Sequence, residues 1–162
     1  MRARTSALVI AVIGAAAYGD SGTGPGLTEG FPNIDQAILS GFCIRGTAPP
    51  PAIRPGIIGT NDCPTEGTLV GTGDGYWEGW RVRVSDVTTV TFTVDSEFDS
   101  FLDLFQINVA NPVLNSLIAF DDDGTGSLDA QLEWTLQPDT EYWILVSGFE
   151  ALDLGSYTLD IT

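Results

Sequence analysis

The chain contains no histidine and no lysine. This removes Ser-His, Cys-His and lysine-based nucleophilic schemes, along with the side chain that most often shuttles protons near neutral pH. Positive charge is scarce, with six Lys+Arg, all arginine, against 22 Asp+Glu and a formal net charge of −16. Such a surface repels nucleic acid and anionic membranes, which excludes nucleic-acid binding, and it attracts divalent cations or cationic partners. Long apolar runs are missing too. The longest, residues 7–17 (ALVIAVIGAAA), is too short to span a bilayer comfortably, so no transmembrane helix is expected. Cysteine occurs only twice, at Cys43 and Cys63.

The apolar run follows Arg2 and Arg4 and closes on Ala15-Ala16-Ala17, the small-x-small pattern that a signal peptidase accepts. Residues 1–17 therefore read as a signal peptide, and the protein as secreted, extracellular or held at a bacterial cell surface. A bacterial lipoprotein would place an acylated cysteine after the small triplet. Position 18 is Tyr, so a lipid anchor is not expected. Removal of Arg2 and Arg4 leaves four basic against 22 acidic residues, a net charge of −18. In an oxidising compartment an even cysteine count predicts one disulfide, Cys43–Cys63. Two thiols without histidine make a poor zinc site.

Residues 18–66 read as a Gly/Pro-rich leader followed by a disulfide-closed arm. Residues 18–33 are rich in Gly, Ser, Thr and Pro without periodicity. In residues 34–42 (IDQAILSGF), Ile34, Ala37, Ile38 and Phe42 have a loosely helical spacing, with a strand the competing reading. Residues 46–62 carry Pro49, Pro50, Pro51 and Pro55 and read as loop, a rigid covering arm spanned by the disulfide.

Residues 67–162 read as the folded domain, because the pattern changes there to period two. Val90, Phe92 and Val94 alternate with Thr89, Thr91 and Thr93. Trp80, Val82 and Val84 alternate with Arg81 and Arg83, and Leu132, Trp134 and Leu136 with Glu133 and Thr135. Tyr157, Leu159 and Ile161 alternate with Thr158 and Asp160. Each is a half-buried strand with one wet face. Phe101–Phe105, Leu117–Phe120 and Tyr142–Val146 are apolar on both faces, as in central strands covered from both sides or strands with one face at a contact surface. Turn signals separate these runs, among them Gly73-Asp74-Gly75, Asn111-Pro112, Asp123-Gly124 and Gln137-Pro138-Asp139. Seven to eight short strands so punctuated indicate an all-β fold, an antiparallel β-sandwich of jelly-roll-like form.

The order of features from Thr68 to Thr162 resembles the bacterial pre-peptidase C-terminal (PPC) domain. Gly73-Asp74 precedes the aromatics Tyr76, Trp77 and Trp80, and a Thr/Val strand leads to Phe98-Asp99 and then Leu102-Asp103-Leu104. An apolar strand ends in Asp121-Asp122-Asp123-Gly124, and an aromatic-rich strand precedes Gly155-Ser156-Tyr157. The resemblance covers about 95 of the 162 residues. It implies a β-sandwich accessory domain that binds, stabilises or aids secretion, sometimes with calcium, and no chemistry of its own.

The acidic turn is the first candidate site. Asp121, Asp123, Thr125 and Asp129 copy positions 1, 3, 5 and 9 of a calcium loop, with Gly126 at position 6. The pattern stops there, since position 12 is Leu132. Asp99 and Asp103 would approach this turn if their strands pair. Hard oxygen ligands without histidine suit Ca²⁺. The competing reading is an Asp/Gly turn whose carboxylates bond to their own backbone. The second candidate, Tyr76-Trp77 with Trp80, is either a platform for sugar rings or, as its strand phase favours, core. A carboxylate pair such as Asp99 with Glu133 is the one catalytic scheme that the composition permits, and a sandwich of this size leaves little room for its cleft. The expectation is a non-enzymatic module that binds an extracellular polymer or protein, with a self-associating envelope or matrix component as the alternative.

Overall fold

The computed structural model describes residues 43–64, 75–110, 116–124, 126 and 128–162. The helix-or-strand segment 34–42 and the glycine turn 71–74 lie outside the described residues. Among the described residues ten strands form two sheets. The first sheet has the order β1 (Ile44–Thr47), β4 (Tyr76–Val82), β9 (Glu141–Gly148), β6 (Ser100–Ile107), β7 (Ser116–Asp121), and the short β3 (Cys63–Pro64) shares the outer edge of β4. The second has the order β2 (Ala52–Ile58), β10 (Gly155–Ile161), β5 (Thr88–Ser96), β8 (Gln131–Leu136). Every pairing is antiparallel except β1 with β4.

Period two explains the layers. On β5, Val90, Phe92 and Val94 point at the first sheet and are buried. Thr89 and Thr93 face water, where Thr89 Oγ1 meets Thr135 Oγ1 at 2.9 Å and Gln131 Nε2 donates to Thr93 Oγ1 at 3.0 Å across the β5–β8 ladder. Leu132, Leu136, Leu159 and Ile161 complete that inner face, against Leu102, Leu104, Ile144 and Val146 from β6 and β9. Of the seven to eight strands expected beyond Thr68, the described residues hold seven, β4 to β10.

Two expectations are corrected. Residues 46–62 are not all loop, since they supply the second half of β1 and all of β2, one to each sheet, joined across the prolines by a turn with a cis Pro50–Pro51 peptide. Pro55 is tolerated because β2 is an edge strand that pairs only with β10. Leu117–Phe120, expected to be covered on both faces, lies on the edge strand β7 and is half-buried. The true central strands, β6 and β9, are buried on both faces as expected. The disulfide Cys43–Cys63 is formed, with Cα atoms 5.8 Å apart. It lies over the outer face of the first sheet, in a second apolar cluster with Trp77, Phe105, Trp143 and Leu145.

A polar network crosses the core between the sheets. The phase of β4 turns Glu78 inward with Trp80 and Val82, and Glu78 is buried. Arg45 Nε from β1 and the Tyr157 hydroxyl from β10 both donate to its carboxylate, and Trp80 Nε1 donates to Tyr157 Oη at 3.2 Å. Arg45 also donates to Asp62, and its contact with Glu78 raises its pKa. Burial, and then the neighbouring Glu78, push the Tyr157 phenol far above its ordinary value. Gly56 on β2 makes room, because a Cβ there would overlap both the Glu78 carboxylate and the Tyr157 ring.

Candidate functional site

Antiparallel pairing brings three connections to one end of the sandwich: residues 97–99 between β5 and β6, 122–130 between β7 and β8, and 149–154 between β9 and β10. They deliver Asp99, Asp122, Asp123, Glu150 and Asp153, beside Asp121 at the end of β7. The electrostatics show that these carboxylates feel one another. Asp99 is pushed up to about 6, first by partial burial, then by the charges of Asp123, Asp153, Asp122 and Glu150. Asp121 is also raised, by burial foremost, although the backbone N–H groups of Gln131 and Gly124 pull the other way.

The expected ligands divide into two kinds. Asp121 Oδ2 accepts from Gly124 N at 2.7 Å and from Gln131 N at 2.9 Å, closing the turn on itself. Gly124 is required there, since a Cβ would overlap the Asp121 carboxylate. Asp129 Oδ1 accepts from Ser96 N at 3.0 Å and Ser96 Oγ at 3.1 Å, which ties the acidic turn to the end of β5. Both carboxylates serve the turn in the way that short Asp side chains commonly do. Asp123 and Asp99 face the shared negative field, and Thr125 lies outside the described residues. Among the described residues no three His, Cys, Asp or Glu side chains stand in metal-binding geometry. The arrangement suits a cation in its charge more than in its preset ligand positions.

Asp103 does not approach the turn. It sits opposite Phe120 and Leu145 on the outer face of the first sheet, 1% exposed, and neither carboxylate oxygen has a hydrogen-bond partner. Burial alone raises its pKa well above the ordinary range. Glu150 and Asp153 were not expected at the acidic end. The signal was present in the hairpin parity of β9 and β10, which returns their connection beside that of β5 and β6. Asp153 also caps its own turn, accepting from Glu150 N at 2.7 Å.

The aromatic candidate resolves as core. Trp77 is buried in the outer-face cluster, and Trp80 packs against the inter-sheet core with Arg54 above its ring at 5.7 Å. Glu133 lies on the exposed face of β8, opposite Thr91, in the other sheet from the strand that follows Asp99.

No protein-family model matches the chain, and no curated protein matches it. Among solved structures it is similar to the pre-peptidase C-terminal domain of collagenase from Bacillus anthracis. The TM-score is 0.50 and the identity 12%, over 74% of this chain and 96% of that one. The fold is that of a PPC domain. At this identity the PPC likeness concerns architecture and transfers no residue roles. The chain is also similar to PliG, a periplasmic inhibitor of g-type lysozyme from Aeromonas hydrophila, with 15% identity over 72% of this chain and 96% of that one. Its TM-score of 0.44 is too low to carry an argument.

Proposed function

We propose that the protein is an exported, non-catalytic accessory module of PPC-like fold, which binds an extracellular polymer or protein and is stiffened by a calcium ion at its acidic end. The observation that carries the reading is the convergence of Asp99, Asp122, Asp123, Glu150 and Asp153 from three connections, with Asp99 held up to about 6. Carboxylates so placed repel one another, and a divalent cation relieves that repulsion while joining the three loops. Asp99 and Asp123 are the residues best placed to meet the ion, with Asp121 contributing the oxygen that its turn leaves over. The disulfide and the PPC-like fold support an exported protein, and no helix among the described residues is long and apolar enough to cross a membrane.

The expected outcome of a calcium titration is a rise in melting temperature at millimolar calcium, abolished in Asp99→Asn/Asp123→Asn. An unchanged melting temperature would remove the ion from this reading. Self-association is the second reading, favoured by Ile53 and Ile57, which are 63% and 67% exposed on the same outward face of the edge strand β2, with Pro55 between them. Light scattering after size exclusion separates the two: a monomer supports the binding module, and large assemblies support the structural component.

A further inference from the structure

Among the described residues the two sheets end in edge strands, and most of these carry a device that discourages pairing with another chain. β1 is four residues long with an irregular register between Ile44 and Gly46, and β3 beside it has two residues. β2 carries Pro55, which lacks an N–H. The register of β7 is broken opposite Leu104 and Phe105. β8 has none of these. Its six residues, QLEWTL, hold no proline, no glycine and no positive charge, and they pair with β5 without a break.

The alternation of the ladder decides which backbone groups of β8 are open. Thr91 N donates to Thr162 O at 2.7 Å and Thr91 O accepts from Thr162 N at 3.0 Å, so Thr91 turns its backbone toward the β10 side of β5. The even-numbered residues of β5 therefore bond to the β8 side, and Val94 N donates to Ala130 O at 3.0 Å. Their partners on β8 are Leu132, Trp134 and Leu136. The odd-numbered residues of β8 turn away from β5. Gln131 N donates to Asp121 Oδ2 at 2.9 Å, and Gln137 N, just past the strand, donates to Tyr142 Oη at 3.1 Å. Between these two capped ends Glu133 and Thr135 face the free edge. Their N–H and C=O groups have no strand beside them among the described residues, and the two residues stand about 7 Å apart.

The side chains around this edge describe the strand that fits it. Glu133 and Thr135 are exposed and border a shallow cleft of about 290 Å³ with Thr89 and Trp134. On the inner side β8 lies across from β7, and Trp134 and Ile118 are half-buried against the inter-sheet core.

We propose that the free edge of β8 docks an extended segment of a partner protein, with basic residues on one side and apolar residues on the other. The segment adds to the second sheet as a further strand and bonds to the backbone of Glu133 and Thr135. Its outward side chains stand about 5 Å from those of β8, where lysine or arginine meets the Glu133 carboxylate. Its inward side chains cover Trp134 and Ile118. Charge selects a foreign strand over a second copy, because a second copy brings the same net charge of −16 and is repelled, whereas a basic segment is attracted. This assignment rests on the reading of the chain as a binding module and gives that module a partner and a place to hold it.

The test uses the exported, oxidised chain and a synthetic peptide of alternating lysine and valine, in about 0.15 M salt. A peptide of the same sequence with every backbone nitrogen methylated is the control. Amide hydrogen exchange followed by NMR is expected to be fast at Glu133 and Thr135 in the free chain, and slow at Leu132 and Trp134. The peptide is expected to slow Glu133 and Thr135 about tenfold or more, and the methylated control to leave them unchanged. Thr135→Pro removes a donor that faces outward, and Glu133→Lys reverses the charge. Each is expected to weaken peptide binding about tenfold, read by fluorescence polarisation. Unchanged exchange at both amides, equal slowing by the methylated control, or undiminished binding by both variants would overturn the proposal. So would protection of these amides that rises with protein concentration in the absence of peptide, since a second copy would then hold the edge. The calcium titration and light scattering test the binding-module reading without reference to β8, so the two can fail separately.

Discussion

Replacing Asp103 by Asn gives a sharp test of the energetics of the first sheet. In the folded chain the carboxyl is surrounded by Phe101, Phe105, Phe120 and Leu145, with 1% exposure and no hydrogen-bond partner. Ionising it there means leaving a charge in an apolar layer, so the group holds its proton well above the usual pH. In the unfolded chain an aspartate loses its proton near pH 3.9. Below that pH both states are protonated, and the site contributes no pH dependence. Above it the unfolded state gives up a proton that the folded state retains, so stability falls as pH rises, until the folded group itself ionises. The slope for one such group is about 1.4 kcal/mol per pH unit. Asn preserves the shape and cannot ionise. Urea unfolding of the two proteins at pH 4, 5, 6 and 7 is therefore expected to give similar stabilities at pH 4. The advantage of Asp103→Asn should then grow by about 1.4 kcal/mol with each unit through the window in which the wild type retains its proton. Asp99 and Asp121 titrate in both proteins and cancel from the difference. Parallel stability curves from pH 4 to 7 would refute the reasoning, because they would mean that Asp103 ionises as freely folded as unfolded.

Gly56→Ala is expected to destabilise by roughly 1–3 kcal/mol, read as a lower urea midpoint, because the added methyl overlaps Glu78 and Tyr157 across the sheet interface. Tyr157→Phe removes a donor from the buried Glu78 and the acceptor of Trp80 Nε1. A cost of about 1–3 kcal/mol in chemical unfolding is expected, larger than that of Thr89→Val, whose hydroxyl faces solvent. Opening the disulfide in Cys43→Ser/Cys63→Ser is expected to cost about 3 kcal/mol in the same assay, from the restored freedom of the loop in the unfolded chain.

The sequence made the alternating strands readable, because at Val90, Phe92 and Val94 burial and period coincide. β1 and β2 were hidden by their prolines, which signal loop unless the strand is known to lie at an edge. That fact depends on β10, about a hundred residues away. Glu78 had the right phase to face inward, yet nothing local announces that Arg45 and Tyr157 wait there for it. At the acidic end, Asp121 and Asp123 were visible as a motif, while Glu150 and Asp153 join them only through the pairing of β9 and β10. Asp103 was placed at the turn on strand pairing alone, and β6 does pair with β7, but in a register that sets Asp103 opposite Phe120 on the covered outer face. Local pattern specified which residues form strands. It left open which strand lies at an edge.

The disulfide also decides how the molecule would respond to pulling. Tension applied at Cys43 passes through sulfur directly to Cys63 and on to β3 and β4, so residues 44–62 lie outside the load path. β1 and β2, which contribute one strand to each sheet, stay slack while the rest of the chain bears force. Reduction would put those residues in series and release roughly 65 Å of contour length. The sulfur bridge thus acts as a mechanical bypass, exempting the two N-terminal strands from any stretching between the chain's ends.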